Sequence, residues 1–266
     1  KGDVPTPKGT IHFSIDSESG ALVLCVPQGT SANLAVPKSG KRIKSIELHH
    51  LKPDRQDEHY IYFNNIPPGN YKGRVSYEGE WKTQKVEQFY YSQNRVIEDV
   101  TTKGDWKQKY GKKGHFFFNY DSLKSHDSLL PAFVKEIKLE KTMHVNWLAD
   151  SPQDNRALLS DSLNGSLGAI YTNDPLACMQ TMTIDVQAEK NISTNLSLYF
   201  VDFDKAGRRT AIEVFDLQTK ELLMPVHKIA HYENGKYVTF PIDRPVRIRI
   251  NQVRGPNAVC SALFFD

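Results

Sequence analysis

The 266-residue chain carries 34 Lys plus Arg against 31 Asp plus Glu, a formal net charge of +3. That near balance gives no field strong enough to hold a phosphate backbone, which excludes nucleic acid as the default partner. No window reaches the ~18 to 20 consecutive apolar residues of a membrane span, and the opening KGDVPTPKGT lacks the apolar core of a signal peptide. Aromatic residues make up 11% of the chain and β-branched residues are frequent, whereas helix-length amphipathic stretches are scarce, so an all-β fold is expected. Cys25, Cys178 and Cys260 each lie among apolar neighbours. They read as buried free thiols, with a Cys178–Cys260 bridge as the alternative.

Residues 1–9, rich in Lys, Pro and Gly, read as a linker. Short β-rich runs follow: TIHFSID, ALVLCVP, ANLAVP, RIKSIELHHL, YIYFNNI, YKGRVSYEG and VEQFYYS. The period of two is clearest in Ile11, Phe13 and Ile15 and in Ile43, Ser45 and Glu47. About seven strands in ~80 residues predict a small β-sandwich over residues 1–93. Its segment FNNIPPGNYKGRVSYEGE resembles a motif of prealbumin-like and fibronectin-like appendage domains, a strand, a Pro-Gly turn and a Tyr-led strand. Pro67 and Pro68 fix φ there, Gly69 relaxes the turn, and Tyr71 offers its ring to the core.

The polar stretch QNRVIEDVTTKG, 93–104, reads as a boundary, and residues 94–266 as a second domain. DWKQKYGKKGHFFFNYD is followed by DSLLPAFVKEIKLEKTMHVNWLADSPQDNRALLSD and then by SLGAIYT, ACMQTMTIDVQ, LSLYFVDFD, RTAIEVFDL, YVTFPI, VRIRINQ and AVCSALFFD. Eight or so strands with polar turns of varied length predict a jelly roll closed by its last strand.

Four features then combine: a strand ending Asp-aromatic-Asp, x-x-Gly-Arg, a strand carrying Val-Phe-Asp, and a final GPNAVCSALFFD. With DWKQKYGKKG, LPAFV and DNRALLSD upstream, this series resembles the galactose-binding-like (carbohydrate-binding-module-like) jelly roll attached to bacterial polysaccharide-degrading enzymes. The resemblance covers about 160 residues. It implies a carbohydrate-binding or structural role outside the cytoplasm: secreted, periplasmic or on the cell surface.

The residues test that implication in several ways. Asp202 and Asp204, two apart on a strand, would have Cα atoms ~6.6 Å apart on one face, a spacing compatible with a glycosidase pair. Their place at a strand end beside Lys205-Ala206-Gly207 favours a hairpin corner instead, with the carboxylates accepting backbone N–H groups or pairing with Arg208 or Arg209. His49, His50 and His59 form the densest histidine group, but no zinc-ligand spacing is present. The chain has no G-x-S-x-G elbow, P-loop or dinucleotide fingerprint.

Sugar recognition needs aromatic platforms and planar hydrogen-bonding groups in loops. In the matching segments those residue types are Trp106, Tyr110, Trp147, Arg156, Tyr171, Asp202, Asp204, Arg208 and Asn257. Trp106 and Trp147 read equally well as core, and Arg156 as a structural partner of Asp202 or Asp154. A structural calcium ion is a further expectation, with Asp150, Asp154 and Asn155 joined by Asp266 as oxygen donors. The chain therefore reads as a non-catalytic carbohydrate-binding or structural accessory protein whose partner is a glycan. Two alternatives stand beside it: a glycan-active enzyme using loop carboxylates, and an adhesin that meets protein partners through its sheet edges.

Overall fold

A computed structural model describes residues 2–16, 19–38, 43–78, 96–118, 128–148, 153–159, 165–173 and 180–266. Every regular element among them is a β-strand, and all pairings are antiparallel. The chain divides into two compact units, Lys1–Glu87 and Gln88–Asp266.

In the first unit, β1 (Gly2–Thr6), β2 (Gly9–Ile15), β3 (Ala21–Val26), β8 (Gly69–Tyr77) and β5 (Ile43–Leu48) form a sheet in the order β1-β2-β3-β8-β5. A second sheet runs β4 (Ala32–Pro37), β7 (Tyr60–Ile66), β6 (Arg55–Gln56). The pleat sends alternate side chains inward, so Leu22, Leu24 and Val26 of β3 meet Leu34 and Val36 of β4 and Phe63 of β7 in one core. Tyr71 joins that core and donates its hydroxyl to the Pro67 carbonyl at 2.8 Å, pinning the Pro-Gly turn.

Two expectations are corrected here. Residues 2–6 are an edge strand rather than a linker: Val4 pairs with Ile11, and Pro5 is tolerated because its missing N–H leaves no inner partner unpaired at a sheet edge. In β5 the period breaks, because a register shift between Ile43 and Ser45 turns Ile46 and Leu48 inward and leaves Ser45 and Glu47 exposed. The predicted strand VEQFYYS lies outside the described residues.

In the second unit one sheet has the order β11 (Ser128–Leu129), β10 (Gly114–Phe117), β22 (Ala262–Phe265), β16 (Thr194–Phe200), β19 (Lys236–Ile242), β9 (Ile97–Asp99). The other runs β12 (Val134–Glu140), β15 (Thr181–Ala188), β20 (Val246–Arg254), β17 (Arg209–Asp216), β18 (Leu222–Ile229). A short third sheet joins β13 (Thr142–Leu148), β14 (Leu167–Thr172) and β21 (Val259–Cys260). From β15 to β22 the chain passes repeatedly between the two large sheets, and the last strand closes the middle of one of them: this is the expected jelly roll.

Met182, Ile184 and Val186 of β15 and Ile248 and Ile250 of β20 face Leu196, Leu198, Val238 and Phe240 across the main core. β22 is apolar on both faces. Leu263 and Phe265 point into that core, while Ala262 and Phe264 point into a second cluster with Trp106, Tyr110, Tyr199 and Tyr237. The segment after β9 thus packs over the outer face of the six-stranded sheet. The 93–104 boundary stretch accordingly holds β9, an edge strand paired with β19, and is not a plain linker.

Cys25 and Cys260 are free thiols, and burial pushes the Cys260 thiol pKa up. Cys178 lies outside the described residues.

Candidate functional site

The predicted site residues fall into three groups. Trp106 and Tyr110 are buried in the second cluster, only 5% and 6% exposed. The Trp106 indole donates to the Leu159 carbonyl at 2.6 Å, and Tyr110 stacks on Tyr237 with centroids 4.1 Å apart while its hydroxyl donates to Asp99. Neither ring can reach a ligand, so their assignment as sugar platforms is corrected: they are core. Tyr171 is half-buried on β14, packed against the main core.

The second group meets where β16 leaves its sheet. There the chain turns through Asp202-Phe203-Asp204, with Lys205 at φ 54° and Gly207 at φ 71°. Asp202 is buried and closes the turn: its carboxylate accepts the N–H groups of Ala206, Gly207 and Arg208 at 3.2, 2.9 and 3.0 Å, and the Arg208 guanidinium as well. Arg208, with only 5% of its side chain exposed, also contacts Asp204 and donates from Nε to Asn257 at 2.8 Å. Asp202 and Asp204 thus share one guanidinium, as a structural pair, but the expected hairpin is corrected: β16 pairs with β19 and β22 and β17 with β18 and β20, so this turn is a corner that carries the chain from one sheet to the other.

The third group lies against Phe203. Asp154 accepts from Arg156 Nε and Nη2 at 2.9 and 2.7 Å, a bidentate pair, while Arg156 Nη1 donates to the carbonyls of Phe203 and Glu233, each at 3.3 Å. The guanidinium carbon sits 4.5 Å from the Phe203 ring centroid, and Trp147 stacks on the same ring at 5.5 Å with planes 17° apart. Both rings are only partly buried. The loop is anchored from behind, because Tyr199 donates to the Arg156 carbonyl at 2.9 Å and Gly104 N–H to the Asn155 carbonyl at 2.9 Å.

Trp147, Phe203, Arg156, Asp154 and Asp204 therefore converge at one end of the jelly roll, with 52% of the Asp204 side chain exposed. Phe203 escaped the sequence reading, which took the DFD triplet for its acids. An aromatic side chain at the tip of a polar turn was the available signal.

The electrostatics limit the chemistry. Hydrogen bonding from Arg208 lowers the Asp204 pKa, and hydrogen bonding from Arg156 lowers that of Asp154, in both cases against the opposing pull of burial. Both stay ionised at neutral pH, so neither is suited to deliver the proton that a glycosidic leaving group needs. Three carboxylates against two guanidiniums leave one surplus negative charge. Asp266 does not join them: it lies beyond the other end of β16, where its carboxylate accepts Lys112 N–H at 3.0 Å and its backbone pairs with Asn195. With β16 about 20 Å long, Asp154 and Asp266 cannot share one ion. Asp150 lies outside the described residues, which hold no cluster of three metal-ligating side chains. His49 and His50 sit in the turn after β5 with rings 4.3 Å apart.

No protein-family model matches the chain, and no curated protein does. Solved structures similar to it include the paired family 32 carbohydrate-binding modules of Clostridium perfringens ZmpB in complex with GalNAc. That likeness has a TM-score of 0.36 and 10% identity, covering 92% of this chain and 80% of that one. A family 35 carbohydrate-binding module from Clostridium thermocellum gives a TM-score of 0.30 and 11% identity over 50% of this chain and 92% of the module. TmCBM61 in complex with β-1,4-galactotriose gives 0.30 and 8% over 50% and 86%. The fold assignment itself rests on the strand order.

Proposed function

We propose that the second unit is a non-catalytic carbohydrate-binding module that takes a neutral sugar at the loop end built by Trp147, Phe203 and Asp204, in a bacterial polysaccharide-processing system outside the cytoplasm. The observation that carries this reading is the partly exposed Trp147–Phe203 stack beside a half-exposed ionised carboxylate. A pyranose presents C–H groups to an aromatic face and hydroxyl pairs to carboxylate oxygens; with Phe203 contacted by both Trp147 and Arg156, the face offered would be that of Trp147, beside the Asp204 carboxylate. The guanidiniums of Arg156 and Arg208 are already engaged by Asp154, Asp202 and Asp204, so neither is free to pair with a uronate carboxylate. The bacterial setting and the extracellular location rest on the sequence resemblance alone.

Isothermal titration of the intact protein with soluble galactan, arabinan and polygalacturonate fragments tests the reading. Millimolar or tighter binding to a neutral fragment is expected, with at least about a tenfold loss in Trp147→Ala assayed at a temperature where that variant is still folded, since Trp147 also packs against both cores. No binding at millimolar concentration to any fragment would overturn it.

A further inference from the structure

The first unit carries a feature that the carbohydrate site does not involve. Among the described residues, β5 and β6 are the last strands of their respective sheets, and residues of both line one groove. Between them runs a groove of about 350 Å³. Its apolar lining comes from Ile43 and Ile46 of β5, Pro53, and Ile61 of β7, and its charged lining from Lys44 and Arg55. No carboxylate lines it among the described residues.

Arg55 is the unusual member. Its guanidinium carbon lies 3.8 Å from the Tyr62 ring centroid, a stacked position that holds the side chain at the groove. Its Nε is buried and has no hydrogen-bond acceptor among the described residues. The neighbouring acids are occupied by the loop they belong to. Asp54 accepts Asn64 N–H at 2.6 Å, and Asp57 accepts the N–H groups of His59 and Tyr60 and the Tyr62 hydroxyl, at 2.8, 2.8 and 2.7 Å. Arg55 is only partly buried, so its guanidinium is held in place at the groove with one buried N–H unsatisfied, and an anion seated in the groove would satisfy it.

The occupant must also suit the rest of the groove. A sugar is a poor fit, because Ile and Pro offer no flat ring and the face of Tyr62 is covered by Arg55. An extended peptide fits on three counts: a strand edge that no described residue pairs with, an apolar floor for one side chain, and a cation for another. We propose that the groove between β5 and β6 docks an extended protein segment carrying a carboxylate two residues from a large apolar side chain, the spacing that puts both on one face of a strand. The first unit would then hold a protein partner while the second holds glycan, and each proposal stands or falls without the other.

Panning a phage-displayed random heptapeptide library on the intact protein tests this, followed by titration of the enriched synthetic peptides. The expected result is enrichment of acidic-x-apolar or apolar-x-acidic sequences whose affinity falls about tenfold or more in Arg55→Ala and only partly in Arg55→Lys. Lys44→Glu, an exposed change that leaves the core untouched, weakens the same peptides and keeps the proposal testable if Arg55→Ala fails to fold. Absence of enrichment, enriched peptides without acids, or equal binding to wild type and Lys44→Glu would overturn it. So would displacement of the peptides by galactan fragments, which would place them at the loop end of the second unit.

Discussion

Asp202 and Asp204 lie two positions apart and contact the same guanidinium, yet their surroundings separate their roles. Asp202 and Arg208 are both buried: removing Arg208 strands the Asp202 charge in a low-dielectric setting, and removing Asp202 leaves Arg208 with Asp204 alone and three backbone N–H groups of the turn without an acceptor. Arg208→Ala and Asp202→Ala are each expected to cost about 3 to 5 kcal/mol in urea unfolding. Asp204→Asn, half in water, should cost no more than about 1 kcal/mol and instead lower glycan affinity. Equal destabilisation by all three would show that the turn does not depend on the buried pair.

A second expectation at this scale concerns acid. Burial pulls the Asp99 pKa up, but hydrogen bonds from Lys109, Thr102 and Thr101 outweigh it and hold the carboxyl well below the ordinary range. A depressed folded-state pKa contributes stability that is complete above the unfolded value of about 3.9 and is lost as pH falls toward the folded one. Asp154 and Asp204 act in the same direction. Urea midpoints should hold steady down to about pH 4 and then fall, less steeply in Asp99→Asn; an identical slope in that variant would refute the assignment.

At the scale of elements, the loop bearing Asp154 and Arg156 is placed by the layer beneath it. A Cβ on Gly104 would lie 1.8 Å from the Ala157 carbonyl oxygen, so Gly104→Ala must push this loop away. Gly104→Ala is expected to lower the melting temperature and weaken glycan binding together, as is Trp106→Ala through loss of its bond to Leu159. Unchanged affinity in a folded Gly104→Ala protein would mean that the loop takes no part in binding.

Long alternating runs such as TMTIDVQ and VRIRINQ gave strands because each has one face in the core. β1, β9 and β18 went unread. Pro5 and Pro225 argued against a strand in two of them, and β9 has only three residues; all three are edge strands, where proline and shortness are tolerated. At the site, the acids and arginines were legible as residue types. Burial of Trp106 and Tyr110 was not, since it depends on a segment folding across the outer face of a sheet whose strands are distant in sequence.

At the scale of the whole molecule, the two sandwiches present different chemistry. The first offers, among its described residues, a groove between end strands where the Arg55 Nε has no acceptor, and the second an aromatic stack beside carboxylates whose arginines are engaged. Neutral glycan is proposed to be recognised at the second of these. Backbone amide chemical-shift mapping of the intact protein during titration with neutral galactan fragments tests it most directly. Perturbations are expected to saturate at millimolar concentration and to centre on Trp147, residues 153–157 and residues 202–208. Perturbations centred elsewhere, or none at all, would contradict it.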